Sequence, residues 1–189
     1  MKTTILALAV STSFIPALTN ACEIDQSVPL ESYSTTVHTT DHHAVYTEIN
    51  INASAEKVWS VLMDFETMPE WSPALQGIVG DLADGSAVTV LYKVGDRVAE
   101  IPHVISFKDG TSFGWAEELK GPAPGIFDNH LYKVEAISKC QTRFIQSDAF
   151  KGVSTEQPER TTAFFAERVL GSYRSFNTAL KERVESQNK

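Results

Sequence analysis

Residues 159–185 read ERTTAFFAERVLGSYRSFNTALKERVE. Phe165, Val169, Tyr173, Phe176, Leu180 and Val184 recur at steps of four and three, the repeat of one helix face. The stripe predicts a single long C-terminal helix over 159–185, spanning roughly 40 Å at 1.5 Å per residue. Gly171 allows a bend or a close approach within it. A helix of that length crosses a whole sheet, and the chain before it reads as that sheet.

Upstream lie short apolar runs separated by turn residues. Residues 142–150 and 130–137 form a strand pair joined through 138–141. Before them come 112–119, 98–107, 87–94 and a weak strand at 78–82, with turns at Asp109-Gly110 and Gly95-Asp96 and a loop at 121–125. Connections this short make successive strands antiparallel neighbours. Residues 45–52 open the set, with Val45, Ile49 and Ile51 on one face and Glu48, Asn50 and Asn52 on the other. Ser54 then offers an N-cap, Glu56 suits the first turn, and Val58, Val61, Leu62 and Phe65 follow at helical spacing, so 54–64 is a helix. Pro69 and Pro73 bracket Glu70-Trp71-Ser72 as a short broken helix.

The expected fold class is α+β, a curved antiparallel sheet of about six or seven strands on the long helix, with two small helices after the first strand. One helix does not fill such a sheet, so a cavity between them is expected, and with it a small-molecule site.

Residues 1–21 read as a signal peptide. Lys2 carries the only charge, residues 5–10 form a short apolar core, Pro16 breaks it, and Thr19-Asn20-Ala21 supplies small residues for cleavage. The run is too short for a transmembrane segment, which needs about 20 apolar residues. Export to a periplasmic or secreted location follows. Residues 22–43 then form a polar N-terminal extension, with at most one short strand, before the domain at 44–187. His38, Asp41, His42 and His43 are read as a solvated stretch rather than a metal site. The two cysteines leave three readings: a Cys22–Cys140 disulfide worth about 4–5 kcal/mol in the chain-entropy model, lipidation of Cys22, or two free thiols. Lipidation fits least, since Thr19 stands where an aliphatic residue is wanted.

The composition is that of a folded protein, with 42% hydrophobic and 21% charged residues. A formal charge of −8 with no basic cluster argues against nucleic acid and anionic membrane surfaces as partners. No P-loop, dinucleotide, nucleophile-elbow or zincin motif occurs, so no cofactor and no metal are implied.

Four stretches carry a resemblance. They are 51–65 followed by Met68-Pro69-Glu70-Trp71-Ser72-Pro73; Phe113-Gly114-Trp115 with 125–130; 142–152; and 176–181. From about Val45 to Glu185 the chain resembles the START-like (SRPBCC) superfamily, whose helix-grip fold includes polyketide cyclases. The middle stretches look like a bacterial branch mostly without assigned function. That branch more often has Glu where this chain has Asp148. The resemblance implies the helix-grip fold and an apolar or amphipathic ligand.

Strand alternation supplies the site. With Lys133 and Glu135 facing water, His130, Tyr132, Val134 and Ala136 face inward; on the next strand Thr142, Phe144, Gln146, Asp148 and Phe150 share a face. Pairing about Ser138 and Gln141 sets His130 beside Asp148. Such a pair is either a general base with its orienting acid or an anchor for a ligand's polar end. Phe113, Trp115, Tyr132, Phe144, Gln146, Tyr173 and Phe176 complete the expected lining, with Phe176 as its floor. The inward aromatics are equally suited to core packing. His103 is left without a facing, and Glu100, Glu117 and Arg143 are expected on the solvent face.

The reading is an exported small-molecule binder. The alternatives are a cyclase or dehydratase of polyketide-cyclase type using His130 and Asp148, or an interaction module without a ligand. Intact-mass analysis of the exported protein is expected to give a chain beginning at or next to Cys22, with neither diacylglycerol nor a free thiol. A retained Met1 contradicts export.

Overall fold

The computed structural model describes Cys22 and residues 24–187, so the expected signal peptide at 1–21 lies outside the described residues. Nine strands and two α-helices occur among them. In chain order they are β1 (Glu31–Thr39), β2 (His42–Ile51), α1 (Ala55–Leu62), β3 (Leu75–Gly80), β4 (Ala87–Val94), β5 (Arg97–Val104), β6 (Ser106–Lys108), β7 (Ser112–Glu118), β8 (Ile126–Ser138), β9 (Gln141–Gly152) and α2 (Thr162–Ser186). A single 3-10 turn, Met68–Glu70, follows α1.

The strands form two sheets. One has the order β1-β2-β9-β8-β7-β6, the other β3-β4-β5, and every pairing is antiparallel. The single strand expected over 98–107 is split at Ile105. Val104 still pairs with Ala87 of β4, whereas Ser106 pairs with Gly114 of β7. Between them Ile105 turns inward, 1% exposed, and its backbone bonds to Ser86 and Gly85. The chain changes partner there, and one curved sheet becomes two.

Strand β1 is the second departure. Residues 31–39 form a full edge strand, in register with β2 from Glu31↔Ile49 onward. Almost every residue of β1 is exposed, so it carries no apolar signal. It is held instead by its ladder and by Arg174 of α2, which bonds Glu31 and lies 3.9 Å over the Tyr33 ring. The chain before β1 also covers Asn50, expected in water but buried, whose backbone N–H donates to Leu30 O and whose side-chain amide donates to Pro29 O. His43 is buried too, its Nδ1 2.8 Å from Thr162 Oγ1 at the start of α2, while His42 stacks on His38. A Cys22–Cys140 disulfide ties the start of this segment to the β8–β9 hairpin.

Helix α1 begins where expected, with the Ser54 hydroxyl accepting from Lys57 N, and buries Val58, Trp59, Val61 and Leu62. Helix α2 begins at Thr162 rather than Glu159, because the Thr161 hydroxyl caps it through Phe164 N. It lies on the inner face of the six-stranded sheet and buries Ala166, Tyr173, Phe176, Asn177, Leu180 and Val184. Two apolar clusters result. The larger gathers α1, the second half of α2 and the strand residues Ile49, Ile51, Phe113, Tyr132 and Phe144. The smaller joins Val45, Ile126 and Phe150 to Ala166 and Tyr173.

Phe176 and Leu180 are 1% and 0% exposed at the centre of the larger cluster. Leu180→Ala is expected to cost about 2–5 kcal/mol, and Phe176→Ala about 3–5 kcal/mol, in urea unfolding. Losses below about 1 kcal/mol at both positions would mean that α2 does not seal the core.

Candidate functional site

Between the two apolar clusters a belt of polar side chains crosses the inner face of the sheet. It runs from Thr47 on β2 through Gln146 and Asp148 on β9 and His130 and Asp128 on β8 to Glu117 on β7, with Asn177 facing it from α2. Thr47, Asp128, His130, Gln146, Asp148 and Asn177 are all buried. The register makes the belt continuous, since Thr47 opposes Gln146, Gln146 opposes Tyr132, and Glu117 opposes Asp128.

Gln146 organises one half. Its Nε2 donates to Asn177 Oδ1 at 2.6 Å and to Tyr173 O at 3.3 Å. Asn177 Nδ2 donates to Thr47 Oγ1 at 3.0 Å, and that hydroxyl donates to Gln146 O at 3.1 Å. Gln146 Oε1 is left as the acceptor for His130 Nε2, 3.2 Å away. The network thereby assigns His130 as the neutral Nε2–H tautomer. Burial pushes its pKa down to about 3, against the opposing pull of the Gln146 bond.

The other half is acidic. Asp148 accepts from Tyr173 Oη at 2.6 Å and from Asn129 N at 3.0 Å. Burial raises its pKa to about 6, and these two bonds oppose the rise. Asp128 is pushed to about 7, by burial first and then by the like charges of Asp148 and Glu117. Its Oδ1 is buried without a partner. Glu117 Oε1 lies 2.5 Å from His103 Nδ1, and His103 Nε2 is a second buried atom without a partner. Burial lowers the His103 pKa more than the Glu117 contact raises it.

Aromatic rings wall this end. Trp115 stacks on His103 at 4.6 Å and meets His130 edge-on at 5.2 Å. His130 stacks on Tyr173 at 4.5 Å, and Phe113 on Tyr132 at 4.6 Å. Tyr92, Tyr132 and Tyr173 are all held neutral by burial far above the usual phenol range. Glycine at 114 sets the spacing of β7 and β8, because a Cβ there would overlap the carbonyl oxygen of His130.

The residues expected to line a cavity are therefore together on one face, but they fill the space between sheet and helix with their own rings. Phe113, Phe144, Gln146 and Phe176 are at most 1% exposed. Two clefts open elsewhere. One, about 510 Å³, runs along the outer side of α2 beside Trp71 and Arg174. The other, about 300 Å³, lies on the outer face of β1, β2, β9 and β8. Among the described residues no set of three His, Cys, Asp or Glu side chains is placed to hold a metal.

His130 and Asp148 do not bond to each other. Each has a nearer partner, Gln146 for the imidazole and Tyr173 for the carboxylate. Glu117 faces inward rather than to solvent, in phase with Phe113 and Trp115. Asp128 is missing from the sequence reading because that reading starts the strand at His130; β8 starts at Ile126, and Asp128 is in phase with His130 and Tyr132. Asn177, four residues after Tyr173 on α2, carries the matching helical signal.

A six-stranded sheet gripping a long C-terminal helix, with a polar belt in an aromatic interior, defines a helix-grip protein of the START-like class. The family model described as polyketide cyclase / dehydrase and lipid transport matches residues 42–185, and the chain belongs to that family. Among solved structures it is similar to the Zhui aromatase/cyclase of Streptomyces sp. R1128, with TM-score 0.61 and 12% identity over 78% of this chain and 96% of that one. It is also similar to a START superfamily protein of Mycobacterium smegmatis, with TM-score 0.57 and 14% identity over 76% of this chain and 98% of that one. A conserved Enterococcus faecalis protein of unknown function matches with TM-score 0.58 and 18% identity over 83% of this chain and 79% of that one. No curated protein matches the chain.

The raised carboxyls give a pH signature. Asp128 has an ordinary value of 3.8 and a folded value of about 7. Its stabilising contribution is thus complete below about pH 4 and is lost as pH rises through 7. Asp128→Asn removes that loss. In paired urea titrations the variant is expected to gain on the wild type between about pH 4 and pH 7; a constant difference would place Asp128 in contact with water.

Proposed function

We propose that the protein is an exported binder of a small apolar or amphipathic molecule, held between the six-stranded sheet and α2 with its polar end at the belt. The observation that carries this reading is the belt itself. Buried polar groups without full partners cost about 1–3 kcal/mol each, and an all-apolar interior of the same volume would be more stable. Groups retained against that cost, within aromatic walls, suit a ligand that is apolar along its body and polar at one end. Membership of a cyclase/dehydrase and lipid-transport family supports a small-molecule role. The Cys22–Cys140 bridge supports an oxidising compartment and removes the thiol that lipidation would need.

Uptake requires the interior rings to move. The seam between β5 and β7 favours this, because among the described residues those strands share no ladder and meet through the His103–Glu117 contact.

One observation favours a second reading, an enzyme of polyketide-cyclase type. Asp128 and Asp148 titrate at about 7 and about 6, close to neutrality, where a carboxyl can both give and take a proton. A neutral His130 with a pKa near 3 is a poor base by comparison.

Native mass spectrometry of protein purified from its own host's envelope separates the readings. A binder is expected to carry an unaltered ligand, and His130→Ala to weaken its affinity by about 0.5–1.5 kcal/mol. An enzyme is expected to convert it, with Asp148→Asn lowering turnover by about 10²–10⁴ and leaving affinity in place. Absence of any retained or added ligand, in wild type and variants alike, would leave the interaction module.

A further inference from the structure

The acidic end of the belt specifies what a ligand must bring. Two buried atoms there have no partner, Asp128 Oδ1 and His103 Nε2. The Asp128 residue is 9% exposed, and the His103 side chain is 9% exposed. Both groups border Glu117. Asp128 is its cross-strand neighbour, and the Glu117 carboxylate accepts from His103 Nδ1–H. With Nδ1 as the donor, His103 Nε2 presents a lone pair. Both open atoms are therefore acceptors, and a ligand has to supply N–H or O–H donors.

Charge narrows the choice. Asp128 has the like-charged Asp148 and Glu117 around it. The phenol of Tyr92, which burial and the nearby carboxylates hold neutral, adds no positive charge. Among the described residues no Lys or Arg forms an ion pair with Asp128 or Asp148. A hydroxyl supplies one donor and no charge; an ammonium supplies three donors and the missing positive charge.

We propose that the polar end of the interior site receives a protonated amine on an apolar body, held by Asp128 Oδ1 and His103 Nε2 beside the Trp115 ring. This rests on the small-molecule reading above and names the chemical class of its ligand. Asp128 is the charged anchor. Glu117 is a positioning residue, since its carboxylate orients the His103 ring beside Asp128.

The test uses the disulfide-bonded exported protein and two probes of the same shape, tryptamine and its neutral alcohol counterpart tryptophol. Binding is measured by calorimetry at about pH 8, with Nile red uptake as a measure of the apolar interior. Tryptamine is expected to bind about 10- to 100-fold more tightly than tryptophol, as one charge-assisted hydrogen bond would give. Asp128→Asn should erase that preference, bringing the tryptamine affinity to that of tryptophol in the same variant, with retained Nile red uptake showing that the variant is folded. Glu117→Gln should reduce it, and serves as the second variant if Asp128→Asn does not fold. Equal binding of the two probes by wild type, or a preference surviving both substitutions, overturns the proposal. If Nile red binds while the amine shows no advantage, the amine inference fails alone. If neither Nile red nor either probe binds, the small-molecule reading fails with it.

Discussion

The Gln146 side chain is where sheet and helix become one structure. It is 1% exposed, and its amide joins β9 to α2 through Asn177 and the Tyr173 carbonyl while accepting from His130 on β8. Asn177 carries the link on to Thr47 of β2. Each bond contributes only about 0.5–1.5 kcal/mol net, but each broken one leaves a buried amide group unpaired, which is the larger penalty. The apolar stripe of α2 sets how firmly the helix is held, through Phe176, Leu180 and Val184. To that packing the amide ladder adds a directional constraint, because its donors and acceptors match in this one position. Gln146 thus helps fix the register of the helix on the sheet, and sets the tautomer of His130.

From that centre the interior changes character in a definite direction. Toward Thr47 every polar atom of the network has a partner, and the belt is structural. Toward Glu117 the partners run out, like charges accumulate, and Asp128 is driven to a pKa of about 7. A folded chain gains nothing for itself from a carboxyl that must stay protonated or go unpaired. Costs of this kind concentrate where a site is kept ready for something absent.

The sequence states these two halves unequally. The α2 stripe, α1 with its Ser54 cap, the β8–β9 pairing and the inward alternation of His130, Gln146 and Asp148 all follow from period and turn chemistry. What period cannot report is competition among partners. His130 and Asp148 are close enough in register to be paired on paper, yet Gln146 and Tyr173 reach them first. Asp128 and Glu117 were hidden by a general truth, that charged strand residues face water, and by a strand start placed at 130 instead of 126. Strand β1 was illegible for a different reason. An edge strand exposed on both faces has no apolar face to alternate, so its existence depends on the open edge of β2 and on Arg174, both far away in sequence.

The position of the acidic end relative to the two sheets bears on how a molecule would reach it. Parting neighbours within the six-stranded sheet means breaking successive backbone bonds, each about 0.5–1.5 kcal/mol net, in a cooperative ladder. Parting β5 from β7 breaks no ladder. It requires separating His103 from Glu117 and sliding the His103 ring off Trp115. Both contacts involve His103, and the first ends on a Glu117 carboxylate whose side chain is 29% exposed. The change of strand partner at Ile105 leaves β5 attached to the sheet only through β4 and the short β6 segment. The same break that divides one expected sheet into two therefore leaves the boundary beside the unpartnered His103 Nε2 without a backbone ladder. The Gln146 ladder and the grip on α2 lie in β2, β8 and β9, away from that boundary.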